Sequence, residues 1–519
     1  MGAQPKRKKT AAASRGRDPP MRTTFGWWLR SGIGFLLCII FFVPFVVADG
    51  KVFPGLLFPY LTAKILAFRV LVEVAAGLYL LLALHDPQYR PRASGLKYAA
   101  FAFVAWGAIA VFTSIDPVKS FWSNVERMDG YLTLLHLFAY FVIVGCFITA
   151  EKRWTQFLQV SLFASTLMGI YGVLQAIGVF QINPLSFSRV DGTFGNPAFL
   201  AVYLLFGIFI ALFLLALENK AYAVRWTYGG SIAVQSVALY FTQTRGTILG
   251  LLVGLIVAAA FIAWRARTPE LRFLRRASWC ALATVGFVVL AFLAVRELPV
   301  IQKSETLRRI AAISLQHSTV QPRLRAWGIV WQAFLERPVL GWGQETFDSV
   351  ANKFFDQPMD EVDAWYDRAH SQFLDWLVAG GLPMLALYVS LFVLAGWSFA
   401  FSSLAVPARA ALLGLLAAYV FNNLVTFDGI FSAMYFWLVL AFADSLSSSR
   451  PVPLLQRASA ISASGMAVAA PVVAVVVGCG VWMLNAPGYV RAQELLSILS
   501  NEPQEHVVTC SRAAVVAAC

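Results

Sequence analysis

The residues best equipped for chemistry are polar groups set against long apolar runs. Arg245 lies in Gln243-Thr244-Arg245-Gly246-Thr247, a connection of only a few residues between two strongly hydrophobic stretches. Its guanidinium is a rigid fork of donors that matches phosphate oxygens, which points to a phosphate-bearing ligand at a membrane surface. The plainer alternative is an arginine that snorkels to the headgroups and contributes only orientation. His370 stands in Asp367-Arg368-Ala369-His370-Ser371-Gln372. An imidazole titrates near neutral pH, as a general base must, and a capping or packing role is its alternative. Asp367 and Arg368 are supporting candidates beside it. Arg323 heads an amphipathic segment, and Arg189 shares a turn with Asp191 in Arg189-Val190-Asp191-Gly192-Thr193-Phe194-Gly195-Asn196-Pro197. Each also has a bland reading, as a solvated helix charge or as part of a turn and helix cap. His85 and His136 fall in poorer positions, and His317 and His506 lack comparable context.

Six cysteines, Cys38, Cys146, Cys280, Cys479, Cys510 and Cys519, form no CxxC pair and stand at no metal-ligand spacing from a histidine, so no metal and no cofactor is expected. Cys510 and Cys519 are able to pair if their segment is extracytoplasmic.

Composition dictates the elements that must hold these groups. Of 519 residues, 59% are hydrophobic and 13% charged, against about 25% charged in soluble chains. A soluble core cannot hide so much apolar surface. The chain is therefore expected to be an all-α polytopic membrane protein with about 13 transmembrane helices. Spans of roughly 20 apolar residues are expected near 26–48, 60–84, 98–114, 130–150, 155–180, 197–217, 226–242, 247–264, 278–295, 371–399, 408–426, 429–446 and 462–484. Lys6, Arg7, Lys8, Lys9, Arg15, Arg17 and Arg22 make residues 1–25 a basic tail, expected to face anionic membrane lipids and not nucleic acid.

Basic residues stay on the cytoplasmic side. With the amino terminus inside, that side receives Arg90, Arg92, Lys97, Lys152, Arg153, Lys220, Arg225 and the run from Arg265 to Arg276, followed by Arg409, Arg450 and Arg457. The short connections opposite hold only Lys51, Lys119, Arg127, Arg189 and Arg245. Residues 26–296 then carry helices one to nine, 297–370 form a large helical periplasmic loop domain, 371–484 carry helices ten to thirteen, and 485–519 form an extracytoplasmic tail. In the loop, Trp327, Val330, Trp331, Phe334 and Leu335 follow the spacing of an amphipathic helix ended by Pro338 and Gly341-Trp342-Gly343. Lys64, Arg69 and Glu73 lie inside the second span, where charges must pair or line a cavity; Arg69 and Glu73, four apart, are expected to pair. Glu126, Arg127 and Asp129 gather at the outer start of the fourth span and are read as support for the same pocket as the outer arginines.

Taken in order, these stretches resemble the O-antigen ligase and O-antigen polymerase superfamily of bacterial membrane glycosyltransferases, over most of residues 26–485. The matching pieces are Arg189 to Pro197, Thr242-Gln243-Thr244-Arg245-Gly246, Arg323-Leu324-Arg325-Ala326-Trp327 leading to Arg337-Pro338-Val339-Leu340-Gly341-Trp342-Gly343, and Asp367-Arg368-Ala369-His370 leading to Gly380-Gly381. The resemblance implies metal-independent transfer of a glycan from an undecaprenyl-diphosphate carrier to an acceptor hydroxyl on the periplasmic side of the bacterial inner membrane. It implies Arg245 and Arg323 as diphosphate-binding residues, with Arg189 on the same positive face, and His370 as the group that orients or deprotonates the acceptor. Asp191, Asp367 and Arg368 support them, and Arg325 has no counterpart. The acceptor, whether lipid A-core, glycan or protein, separates a ligase from a repeat-unit polymerase and from a protein O-oligosaccharyltransferase, and the motifs do not read it. Relatives often continue into helical repeats, which Val490 to Leu496 looks like beginning, so the tail is read as a truncated repeat region or a changed reading frame. A rival from another class is a glycan or lipid transporter, although the paired repeats common in transporters are not visible.

Overall fold

The computed structural model describes residues 24–183, 186, 188–217, 222–296, 298–299, 303, 321–354, 367–447, 450–452, 455 and 457–501. The basic tail before residue 24, His317, His506, Cys510 and Cys519 lie outside the described residues. A helix occupies each of the thirteen expected places. The elements are α1 (Thr24–Ile40), α2 (Thr62–His85), α3 (Gly95–Phe112), α4 (Pro117–Trp122), α5 (Tyr131–Phe147), α6 (Glu151–Ala176), α7 (Pro197–Ala216), α8 (Tyr222–Phe241) and α9 (Arg245–Arg265). They continue with α10 (Arg272–Val295), α11 (Gln321–Glu336), α12 (Phe347–Phe354), α13 (Gln372–Ala400), α14 (Val406–Val425), α15 (Ile430–Leu446) and α16 (Ala463–Asn501). Among the described residues nine helices are long and apolar enough to cross a membrane. The shortfall from thirteen has local causes. α1, α5 and α15 are apolar but shorter than 18 residues, and α8 carries Arg225, Thr227, Ser231, Gln235 and Ser236.

The bundle is built around α7, whose apolar window is 78% buried and which packs against α6, α8, α14 and α15. Close approach of α9 and α14 is allowed by small residues: a Cβ on Gly254 would lie 2.5 Å from the Gly414 carbonyl oxygen. Without a hydrophobic driving force in lipid, such backbone proximity is what makes helix contact favourable. α10 differs, with only 6% of its window buried.

The segment between α10 and α13 builds a second, smaller core from Ala326, Ile329, Val330 and Ala333 of α11, Trp342, and Phe347 and Val350 of α12, closed by Leu377 and Val378 of α13. The helix and its end are those the spacing predicts, but its inward face is rotated. Trp331 and Leu335 are 59% and 62% exposed, and the small residues Ala326 and Ala333 face inward instead because the backbone must come close to α13.

A kink in α13 receives the loop. Gly380 and Gly381 leave helical geometry, Gly381 at φ +68°, and a Cβ there would meet the Val339 carbonyl oxygen at 2.3 Å. The freed backbone groups are used. The amide of Leu382 donates to Pro338 O (2.8 Å), those of Trp342 and Gly343 donate to Val378 O (2.8 Å) and Ala379 O (3.0 Å), and Trp106 Nε1 donates to Gly380 O at 2.8 Å.

Candidate functional site

His370 is held in a left-handed backbone conformation, φ +53°, which costs a non-glycine residue free energy and persists only where neighbours enforce it. They do so on both sides. The amide of Ala369 donates to Asp375 Oδ1 at 2.9 Å and its carbonyl accepts from Trp327 Nε1 at 3.1 Å, while the amide of Gln372 donates to Thr426 O at 3.1 Å. The imidazole lies against Phe427, ring centroids 5.6 Å apart. Burial lowers the His370 pKa below its usual value, and the Arg323 charge lowers it further, against an opposing pull from Asp367. Both effects favour the neutral imidazole over the imidazolium. Among the described residues, every other non-glycine residue with positive φ, namely Ser123, Met128, Gln243 and Glu345, also lies in the connections at this end of the bundle.

Beside His370, two arginines are tied to carboxylates. Buried Arg368 pairs with Glu345 Oε1 at 2.5 Å and Asp129 Oδ2 at 3.5 Å, and Arg127 pairs with Asp367 Oδ2 at 2.6 Å. Both guanidinium groups stack near Phe427, at 4.8 Å for Arg127 and 5.6 Å for Arg368. Burial works against the Arg368 charge, but Glu345, Asp375 and Asp129 outweigh it and hold the group firmly protonated. Loss of water pushes Asp129 up to about 7, although Arg368 pulls it down. Asp428 is pushed to about 6 by burial. A cavity of about 80 Å³ lined by Asp129, Glu345, Arg368, Asp375 and Asp428 lies inside this network. Glu345, Asp375 and Asp428 were not singled out from the sequence. Asp428 carried a readable signal, a charge in a short connection between two apolar runs, as Arg245 does.

Arg245 is the first residue of α9, following the Thr244 N-cap, where the amides and dipole of a helix N-terminus favour an anion. Arg189 comes to the same turn, its Nε donating to Thr242 O and an Nη to Thr244 Oγ1, both at 3.0 Å. Asp191 is spent on its own turn, accepting from Ser186 Oγ at 2.9 Å and Gln175 Nε2 at 3.1 Å.

One short segment joins the two groups. A Cβ on Gly246 would lie 3.1 Å from Val425 Cγ2, and Thr247 donates to Asn422 Oδ1 at 2.7 Å; two residues on, Thr426 and Phe427 contact Gln372 and His370. Arg245, Arg189, Arg323 and His370 thus stand at one end of the bundle around the α14–α15 connection. Arg325 is exposed on α11.

The charges inside α2 resolve differently from expectation. Arg69 does not pair with Glu73: it donates to Met128 O and Thr133 Oγ1, each at 2.6 Å, and so fixes the turn that carries Asp129. Glu73 instead meets His136 Nε2 at 2.7 Å and Asn485 Nδ2 at 3.0 Å. Lys64 donates to Val46 O at 2.7 Å and Thr193 O at 2.6 Å, fixing the turn of Asp191. These charges hold the connections at the His370 end in place; inside a span, an unpaired charge is costly.

Among the described residues, no group of three or more His, Cys, Asp or Glu side chains is arranged to hold a metal ion. No curated protein matches the chain. The model of the family described as O-antigen ligase matches residues 230–389, a stretch that contains Arg245, Arg323, Arg368 and His370 but not Arg189. Over that stretch, at one end of a polytopic helical bundle, the chain is similar to the O-antigen ligase family.

Proposed function

We propose that the protein transfers a glycan from an undecaprenyl-diphosphate carrier to an acceptor hydroxyl, at the periplasmic face of the bacterial inner membrane and without a metal. The observation that carries the reading is the joining of the Arg245 turn and His370 through residues 425–427. This supports reading the helix start at Arg245 and the imidazole of His370 as parts of one site.

In the proposed step the acceptor oxygen attacks the anomeric carbon while His370 takes its proton. The bond from that carbon to the diphosphate oxygen breaks, its electron pair stays with the leaving carrier diphosphate, and configuration at carbon inverts. Arg245, Arg323 and Arg189 hold the diphosphate and stabilise the charge that grows on it. Arg127, Arg368, Asp367 and Glu345 do not touch substrate in this scheme; their ion pairs fix the backbone around His370.

Reconstitution of the full chain with an undecaprenyl-diphosphate-linked glycan tests the scheme. Lipid A-core, a second glycan chain and a protein are offered in turn, and both the new linkage and the released carrier diphosphate are measured. The acceptor that yields product distinguishes ligase, polymerase and protein O-oligosaccharyltransferase. Movement of the intact donor across the bilayer without release of diphosphate would refute the enzyme and favour a transporter.

A further inference from the structure

At the end of the bundle away from Arg245, a groove of about 940 Å³ opens between α9 and α10 on one side and α7 and α14 on the other. It exists because α10 packs on α9 and leans away from the rest, leaving a wedge. The walls are apolar, with Leu215, Leu255, Ile262 and Leu282 among them, and two polar groups enter the lining, Ser278 and Arg225. Exposed Tyr222, Trp226 and Trp264 mark the depth of the membrane interface beside it, since amphipathic rings settle at headgroup level. Arg225 sits at that depth.

The charge at the mouth is one-sided. Residues 265–276 hold Arg265, Arg267, Arg272, Arg275 and Arg276 with Glu270 the one acid. Arg275 is committed to the Ala263 carbonyl at 3.1 Å, whereas Arg272 and Arg276 are exposed. Apolar walls running inward from a cationic rim complement one kind of molecule in a bilayer, a lipid whose head carries negative charge.

We propose that this groove is a binding site for an anionic phospholipid. The phosphate is held by Arg225 and the rim arginines, and the acyl chains fill the wedge. The lipid braces α9, the helix that begins with Arg245, against α7 and α14 from the opposite end.

The test uses the full chain in detergent, mixed with equal amounts of phosphatidylglycerol and phosphatidylethanolamine, with bound lipid counted by native mass spectrometry. The wild-type protein is expected to take up phosphatidylglycerol in preference. Arg225→Gln, a change at an exposed side chain, is expected to reduce that preference about fivefold, the equivalent of one cationic contact. Arg92→Gln, an exposed arginine away from the groove, is expected to leave it unchanged, and Ala281→Trp, which fills the groove, to remove the tightest-bound lipid. Equal uptake of the two lipids, an unchanged preference in Arg225→Gln, an equal loss in Arg92→Gln, or a dimer that forms in place of lipid binding would each overturn the proposal.

Discussion

The two ends of the bundle use the same residue type in opposite ways. At the His370 end two arginines meet carboxylates, Arg368 with Glu345 and Asp129 and Arg127 with Asp367, while Arg69 and Arg189 donate to turn carbonyls. At the other end arginines meet backbone carbonyls. Arg90 donates to Ala83 O at 3.0 Å, to Leu455 O and Ala458 O at 2.6 Å each, and to Ser459 O at 3.2 Å, and Arg409 donates to Ala400 O at 3.0 Å. Helices α2, α9 and α13 finish there with unsatisfied carbonyls and the negative end of their dipoles, which cations stabilise. Among the described residues Lys97 with Asp444 is the main ion pair on that side. Carboxylate pairing sets the directions of the side chains around His370, whereas the carbonyl bonds at the other end cap helices.

Substitutions sharpen this contrast, beginning with the largest effect. His370→Ala and Arg245→Ala are each expected to lower transfer by about 10²- to 10⁴-fold, the range for a general base or a charge-stabilising donor, while the protein stays folded by circular dichroism. Wild-type activity in either would remove the role assigned to that residue. Arg368→Ala leaves buried carboxylates uncompensated and is expected to cost about 3–5 kcal/mol of stability, read as a fall in Tm. Arg90→Ala, which strands carbonyls but no charge, is expected to cost about 1–3 kcal/mol with transfer retained. If the two variants melt alike, the distinction between the ends fails.

Gly381→Ala forces a side chain into φ +68° and against Val339 O. A loss above about 1 kcal/mol is expected, with transfer falling as the loop detaches from the α13 kink. The pH dependence gives the finest reading. Because burial lowers the pKa of His370 from its usual value, transfer is expected to decline as the pH drops through that lowered value and the imidazole gains a proton. Asp367→Asn removes the one charge that raises it and is expected to shift the acid limb to lower pH. A shift to higher pH would show that Asp367 does not act on His370. Smallest of all, Arg275→Ala is expected to cost about 0.3–1 kcal/mol, with transfer unchanged.

Much of this architecture was readable along the chain, because a helix in lipid is selected by the apolarity of its own residues and by its own hydrogen bonds. The positions of the thirteen helices, the end of α11 and the candidacy of Arg245, Arg323 and His370 follow from such local signals. Local periodicity could not choose which flank of α11 turns inward, since Trp327, Trp331 and Leu335 form one stripe and Ala326, Ile329, Val330 and Ala333 a neighbouring one, and packing against α13 decides between them.

What the sequence determined by itself is a set of apolar helices with polar residues stranded at their ends. Tertiary structure alone decided the partners: that Arg69 serves the Met128–Thr133 turn and not Glu73, that Glu345 reaches Arg368, and that the Arg245 turn and His370 share residues 425–427. The physical reason is range. Transfer into a bilayer is a property each segment has alone, while the pairing of a buried charge depends on which distant group arrives within a few ångströms.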